Sequence, residues 1–170
     1  EQTPIVIYKG APIKVNQSEE KEYYKLESDS CILRINKNHC TFSLYGKDNS
    51  TLLFKETNPI TYGDKSVQSI KRNTNDYFYG CGMQNGHFCH NDRTIQIENI
   101  YDDQQYIWNE HGTPNAVSFY MTLRGYGIFR NTYAGGTYKF KSTVKTSHKE
   151  NRFDAYYFVG NLKEILGGYT

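Results

Sequence analysis

Apolar and polar side chains alternate with period two along most of this chain, in short runs separated by turn residues. That restricts it to a fold of strands that bury one face. In Cys40-Thr41-Phe42-Ser43-Leu44-Tyr45 the large apolar groups fall on even positions and the hydroxyls on odd ones, and Gly46-Lys47-Asp48-Asn49 supplies a turn. Thr51-Leu52-Leu53-Phe54 follows at hairpin distance. Thr94 to Asn99 alternates, as does Val117 to Leu123 with its apolar side chains on odd numbers, and both predict half-buried strands. Gly125-Tyr126-Gly127 predicts a turn before Ile128-Phe129-Arg130, and Ala134-Gly135-Gly136 predicts another before Tyr138-Lys139-Phe140. Short strands at this spacing form a sandwich or a barrel. The polar stretches Gln17 to Glu22, Asp64 to Asp76 and Lys141 to Asn151 are expected as loops or edge strands.

Composition agrees, since 16 Tyr, 9 Phe and one Trp make 15% of the residues aromatic, and rings favour strands. The 170 residues are slightly more than the ~100–150 of a common compact domain, so one domain over 1–170 is expected. Twenty Lys and Arg against 18 Asp and Glu leave a formal charge of +2, too little for a protein that neutralises a run of phosphates, so nucleic acid is not an expected partner. No apolar run approaches the ~20 residues of a membrane helix, so no membrane segment is expected. The chain opens on Glu1 with no charged and apolar leader, which reads as a processed or excised soluble piece, cytoplasmic or secreted.

After a strand over Phe153 to Val159, Asn161 and Glu164 form an Asn variant of the capping box. Leu162, Ile165, Leu166 and Tyr169 then share one helical face, predicting a short helix over 161–170. Its stripe has barely begun at Thr170, so a neighbour beyond that residue is expected to cover it. Cys31, Cys40, Cys81 and Cys89 read as reduced packing residues, Cys31 with Cys40 being the pair that a hairpin would bring face to face.

Cys81, His87, Cys89 and His90 have the atoms for zinc, but their C-x5-H-x-C-H spacing is not that of paired ligands, and no metal is expected. Gly80-Cys81-Gly82 with Gly86 lacks dinucleotide spacing and is read as a bulged strand. Asp102 and Asp103 would point oppositely on a strand and do not converge with Glu98 as paired acids. Asn16-Gln17-Ser18 and Asn49-Ser50-Thr51 are formal glycosylation acceptors.

Four segments, in order, carry a resemblance: Phe78-Tyr79-Gly80-Cys81-Gly82-Met83-Gln84-Asn85-Gly86, Gly112 to Met121, Gly125 to Thr132, and Arg152 to Gly160. Together they resemble the N-terminal domain of glycoside hydrolase family 31, over roughly residues 70 to 170; residues 1 to 69 match only in strand-rich character. The resemblance implies an all-β fold, an antiparallel β-sandwich of the galactose mutarotase-like supersandwich kind with a short C-terminal helix. It also implies that a (β/α)8 catalytic barrel follows, as this chain's partner, and that the parent is a retaining α-glycosidase acting on an α-linked oligosaccharide. Retention needs two carboxyls about 5–5.5 Å apart. In the family both lie in the barrel, so no catalytic residue and no cofactor is expected within this chain.

One family loop folds over the barrel mouth and lines the leaving-group subsite. The matching stretch runs from Trp108 through Asn109, Glu110 and His111 to Asn115, with His111 where some members carry an Asp. A Trp ring stacks on a sugar face while Asn, Glu and His exchange hydrogen bonds with hydroxyls; a solvated turn shaped by Gly112 and Pro114 is the other reading. A stand-alone carbohydrate-binding module, presenting some of the 16 tyrosines, and an aldose mutarotase using His87, His90 or His111 are the alternative functions.

Overall fold

The computed structural model describes residue 6 and residues 12–84, 87–99 and 115–170. Among these lie thirteen strands and one helix: β1 (Asn16–Glu19), β2 (Tyr23–Glu27), β3 (Cys31–Asn36), β4 (Phe42–Gly46), β5 (Leu52–Thr61), β6 (Ser66–Lys71), β7 (Phe78–Met83), β8 (Thr94–Ile97), β9 (Asn115–Thr122), β10 (Tyr126–Arg130), β11 (Gly136–Phe140), β12 (Thr143–His148), β13 (Ala155–Val159) and α1 (Leu162–Tyr169). They form a nine-stranded sheet, ordered β1-β2-β3-β4-β5-β6-β12-β11-β8, and a four-stranded sheet, ordered β13-β10-β9-β7. Every pairing is antiparallel. The two sheets close on one core in which Leu44, Phe54, Ile70, Tyr138, Phe140 and Val144 of the larger meet Phe78, Tyr120, Tyr126 and Ile128 of the smaller. Phe78 and Phe140 stack at 4.8 Å, and Tyr120 stands edge-on to Phe140 at 5.2 Å. The chain is therefore an all-β antiparallel sandwich with one short helix, as expected.

Three elements of the fold, and Cys40, differ from the sequence reading. The stretches 64–76 and 141–151, expected as loops or edges, contain β6 and β12, which pair with each other in the interior of the larger sheet. Several of their polar side chains, Ser66, Gln68 and His148 among them, face inward and find partners there. Gln68 donates to Glu56 and to the Tyr157 hydroxyl, both at 2.7 Å. Ser66 accepts from the fully buried Arg130, whose guanidinium also lies 4.0 Å from the Phe153 ring. Strand β9, expected to be half-buried, is covered on both sides: Ala116, Ser118, Tyr120 and Thr122 are buried in the sandwich, and Phe119 in a second cluster with Phe129 and Ile165.

The third difference concerns α1. The expected capping box is present, the Asn161 side chain accepting from Lys163 and Glu164 amides while Glu164 accepts from the Asn161 amide. The stripe, however, is covered by this chain's own smaller sheet. Ile165 is completely buried and Tyr169 stacks on Phe119 at 4.1 Å, while Leu166 remains exposed. Gly127 makes the close approach possible, since a side chain there would meet Ile165 at 2.6 Å. The cysteines are free thiols; Cys81 packs in the core, Cys31 and Cys89 are half-buried, and Cys40 is exposed rather than packed.

One core contact makes stability depend on pH. His148 is 1% exposed; its Nδ1 donates to the Ala134 carbonyl at 2.8 Å, and its Nε2 lies 3.1 Å from the hydroxyl of Tyr138, which donates to the Ser118 carbonyl. Burial holds its pKa down to about 4 from 6.5. Between those values the unfolded chain binds a proton that the native state refuses, so stability falls as pH drops through this window and levels off below it. The full effect is on the order of 3 kcal/mol. Buried Glu56, whose pKa is raised, offsets part of it by taking up its proton earlier in the native state. Urea midpoints measured from pH 7.5 to 4.0 are expected to fall, and His148→Gln is expected to flatten the slope; an unchanged slope would remove His148 as the cause.

Candidate functional site

Strand β8 belongs to the larger sheet and β9 to the smaller, so the connection between them crosses from one layer to the other. The residues that the sequence reading assigned to sugar contacts, Trp108, Asn109, Glu110 and His111, lie in this connection and outside the described residues, as do Asp102 and Asp103. The structure does describe the root from which the connection departs and to which it returns. Two residues past β8, Asn99 donates from Nδ2 to the Ala116 carbonyl at 2.9 Å, and its Oδ1 accepts from the Ala116 amide at 2.7 Å. An asparagine offers one donor and one acceptor side by side, so it satisfies both backbone groups of Ala116 as a neighbouring strand would.

The Gly80-Cys81-Gly82 bulge lies against the same place. The β7–β9 register shifts between Gly80 and Gly82, the three residues have φ of +112°, +60° and +76°, and Gly82 pairs with Ala116. A side chain on Gly82 would run into the Asn115 carbonyl oxygen and come within 2.8 Å of the Val117 nitrogen. The bulge read from the sequence is therefore real, and its glycines let β7 press against the returning end of the loop. It turns the Cys81 thiol into the core, where burial raises its pKa, and the His90 ring bonds the Gly80 carbonyl at 2.9 Å. Among the described residues no group of three or more His, Cys, Asp or Glu is arranged to hold a metal ion.

A groove of about 1430 Å³ opens beside the root. Glu98, Asn99 and Val117 border it on the loop side, and Tyr133, Tyr156 and Tyr169 contribute rings. Tyr133 is 71% exposed, and Glu98 pairs with Lys149 at 3.2 Å. Rings beside a carboxylate and an amide suit hydroxyl-rich ligands. The buried carboxylates are used in the scaffold: Glu56 accepts from Gln68 and the Phe42 amide, and Asp76 accepts from Arg124 and the Asn73 amide. Sequence reading missed Asn99, whose residue type at a strand end carries no special signal, while the glycines of the bulge announced themselves.

The described residues form a two-layer antiparallel sandwich in which Asn99, just past an edge strand of the larger sheet, clamps Ala116 of the smaller. The sequence matches the "Glycosyl hydrolase 31 N-terminal galactose mutarotase-like domain" over residues 4–138, and the chain belongs to that family. Solved structures share the fold. The GH31 dextranase of Flavobacterium johnsoniae, in complex with glucose, superposes with a TM-score of 0.79 at 22% identity, covering 91% of this chain and 20% of that one. The cycloalternan-forming enzyme of Listeria monocytogenes, with a pentasaccharide substrate, gives 0.80 at 16% identity, covering 96% and 17%. A GH31 α-xylosidase from a soil metagenome, with xylose, gives 0.73 at 16%, covering 94% and 26%. The chain thus spans about a fifth of the length of these structures. No curated protein matches it.

Proposed function

We propose that this chain is the non-catalytic N-terminal domain of a retaining family 31 α-glycosidase, which packs on a following (β/α)8 barrel and lends the Trp108 to Asn115 loop to the leaving-group subsite. Residues 1–170 form the domain and 161–170 begin the connection to the barrel. The two carboxyls that break the bond belong to the barrel, and the chain needs no cofactor. The observation that carries this reading is the clamp of Asn99 on Ala116 in a chain of this family: it supports a loop held at its base and presented by a rigid scaffold. In that loop Trp108 stacks on the leaving sugar, and Asn109, Glu110 and His111 bond its hydroxyls.

In the intact enzyme, His111→Ala is expected to lower kcat/KM on an α-linked disaccharide about tenfold, the worth of one hydrogen bond to the leaving sugar. An aryl α-glycoside has no leaving sugar and is expected to change less than about twofold. Equal losses on both substrates would remove the loop from the subsite, and hydrolysis of aryl α-glycosides by the chain alone at enzymatic rates would overturn the non-catalytic role.

A further inference from the structure

The outer face of β2–β5 carries a second groove, of about 550 Å³. Register places Tyr23 beside Asn36, Arg34 beside Ser43, and Ser43 beside Lys55, while the alternate residues Leu33, Leu44 and Phe54 turn into the core. The guanidinium of Arg34 lies 4.0 Å from the centre of the Tyr45 ring and 4.9 Å from that of Tyr23, and it donates to the side-chain and backbone oxygens of Asn49. Arg34 is thereby tied at its tip and gripped by both rings, so the rings are held in place without a ligand. Hydroxyls and amides complete the lining, with Thr41, Ser43 and Thr57 on the floor and rim.

The charges in this groove cancel. Among the lining side chains the two bases Arg34 and Lys55 are matched in number by the two acids Glu22 and Glu56, so neither sign dominates. Fixed aromatic rings among uncharged donors and acceptors suit a neutral, hydroxyl-rich ligand, and the volume is within the ~300–1,000 Å³ of small-ligand sites. We infer that this groove is a second carbohydrate site, one that takes two or three sugars of a neutral oligosaccharide across Tyr23, Arg34 and Tyr45. It is separate from β8 and the Asn99 root: β8 lies four strands beyond β5 in the sheet order, roughly 19 Å at ~4.8 Å per strand. Its role is to hold substrate chain on the protein, away from the bond being broken.

The test is binding of maltoheptaose and of isomaltotetraose to the full chain, followed by NMR, with Tyr45→Ala, Lys55→Ala and His111→Ala compared. Shifts confined to Ser43, Tyr45, Lys55 and Thr57 are expected with one of the two sugars, together with about tenfold weaker binding in Tyr45→Ala and none of that loss in His111→Ala. The shift map keeps the test decisive if Tyr45→Ala fails to fold, as does the exposed Lys55→Ala, expected to weaken binding about twofold. No shifts in the groove with either sugar at millimolar concentration would overturn the inference, as would preference for a sulfated oligosaccharide. Binding lost only in His111→Ala would overturn it while leaving the loop reading intact.

Discussion

Gly82→Ala is expected to destabilise the chain by on the order of 3 kcal/mol, lowering the thermal midpoint by roughly 10 °C. Two costs combine. Gly82 has φ of +76°, where an L side chain is strained by about 1–2 kcal/mol. The added methyl group would also meet the Asn115 oxygen, the Val117 nitrogen and the Ala116 carbonyl carbon, all backbone atoms that no rotamer change moves aside. Strands β7 and β9 must separate at the loop root. Gly63→Ala is the control, because Gly63 also has positive φ, +142°, but nothing within 4 Å of the new methyl group. Differential scanning calorimetry showing equal losses for the two variants would leave backbone strain as the whole effect and refute the close-packing argument.

Ile165→Ala is expected to release α1 from the smaller sheet. Eight residues are too few for a helix to persist alone in water, and the capping box contributes only about 1 kcal/mol. Attachment rests on Ile165, seated over Gly127, and on Tyr169 against Phe119. Truncating a fully buried Ile costs about 2–5 kcal/mol, comparable to the whole of that attachment. Amide exchange in 162–169 should therefore approach the unprotected rate, while β9 and β10 keep most of their protection. Helix amides as protected as in the parent chain would show that other contacts hold α1.

The parts of this fold that were legible in the sequence are those decided locally. Asn161 and Glu164 satisfy each other three residues apart, and Gly80 and Gly82 permit the bulge by their own backbone freedom. Strand β8 alternates in sequence and in burial alike. Strands β6 and β12 were misread because Ser66, Gln68 and His148 look solvent-facing. Ser66 and Gln68 become core residues through partners far along the chain, Arg130 and Tyr157, and His148 through Tyr138 on the neighbouring strand β11. In β9 the even positions Ser118 and Thr122 hid a second buried face, since Ser118 donates to the Arg130 carbonyl and Thr122 to that of Tyr126. At the candidate site, family resemblance pointed to the loop, but the Asn99 clamp depends on two layers meeting and has no one-dimensional signature. The groove on β2–β5 was invisible for the same reason, because its residues converge only once four strands are in register.

The clamp at Asn99 also bears on how such a domain diversifies. Ala116 has its backbone groups satisfied by a single side chain that precedes the loop, so the scaffold on both sides is complete before residue 100 and resumes at residue 115. On the role proposed above, the fifteen residues between them are the segment in which length and composition would follow the leaving group. The Asn99–Ala116 clamp would then keep both ends of the scaffold fixed while that segment is exchanged.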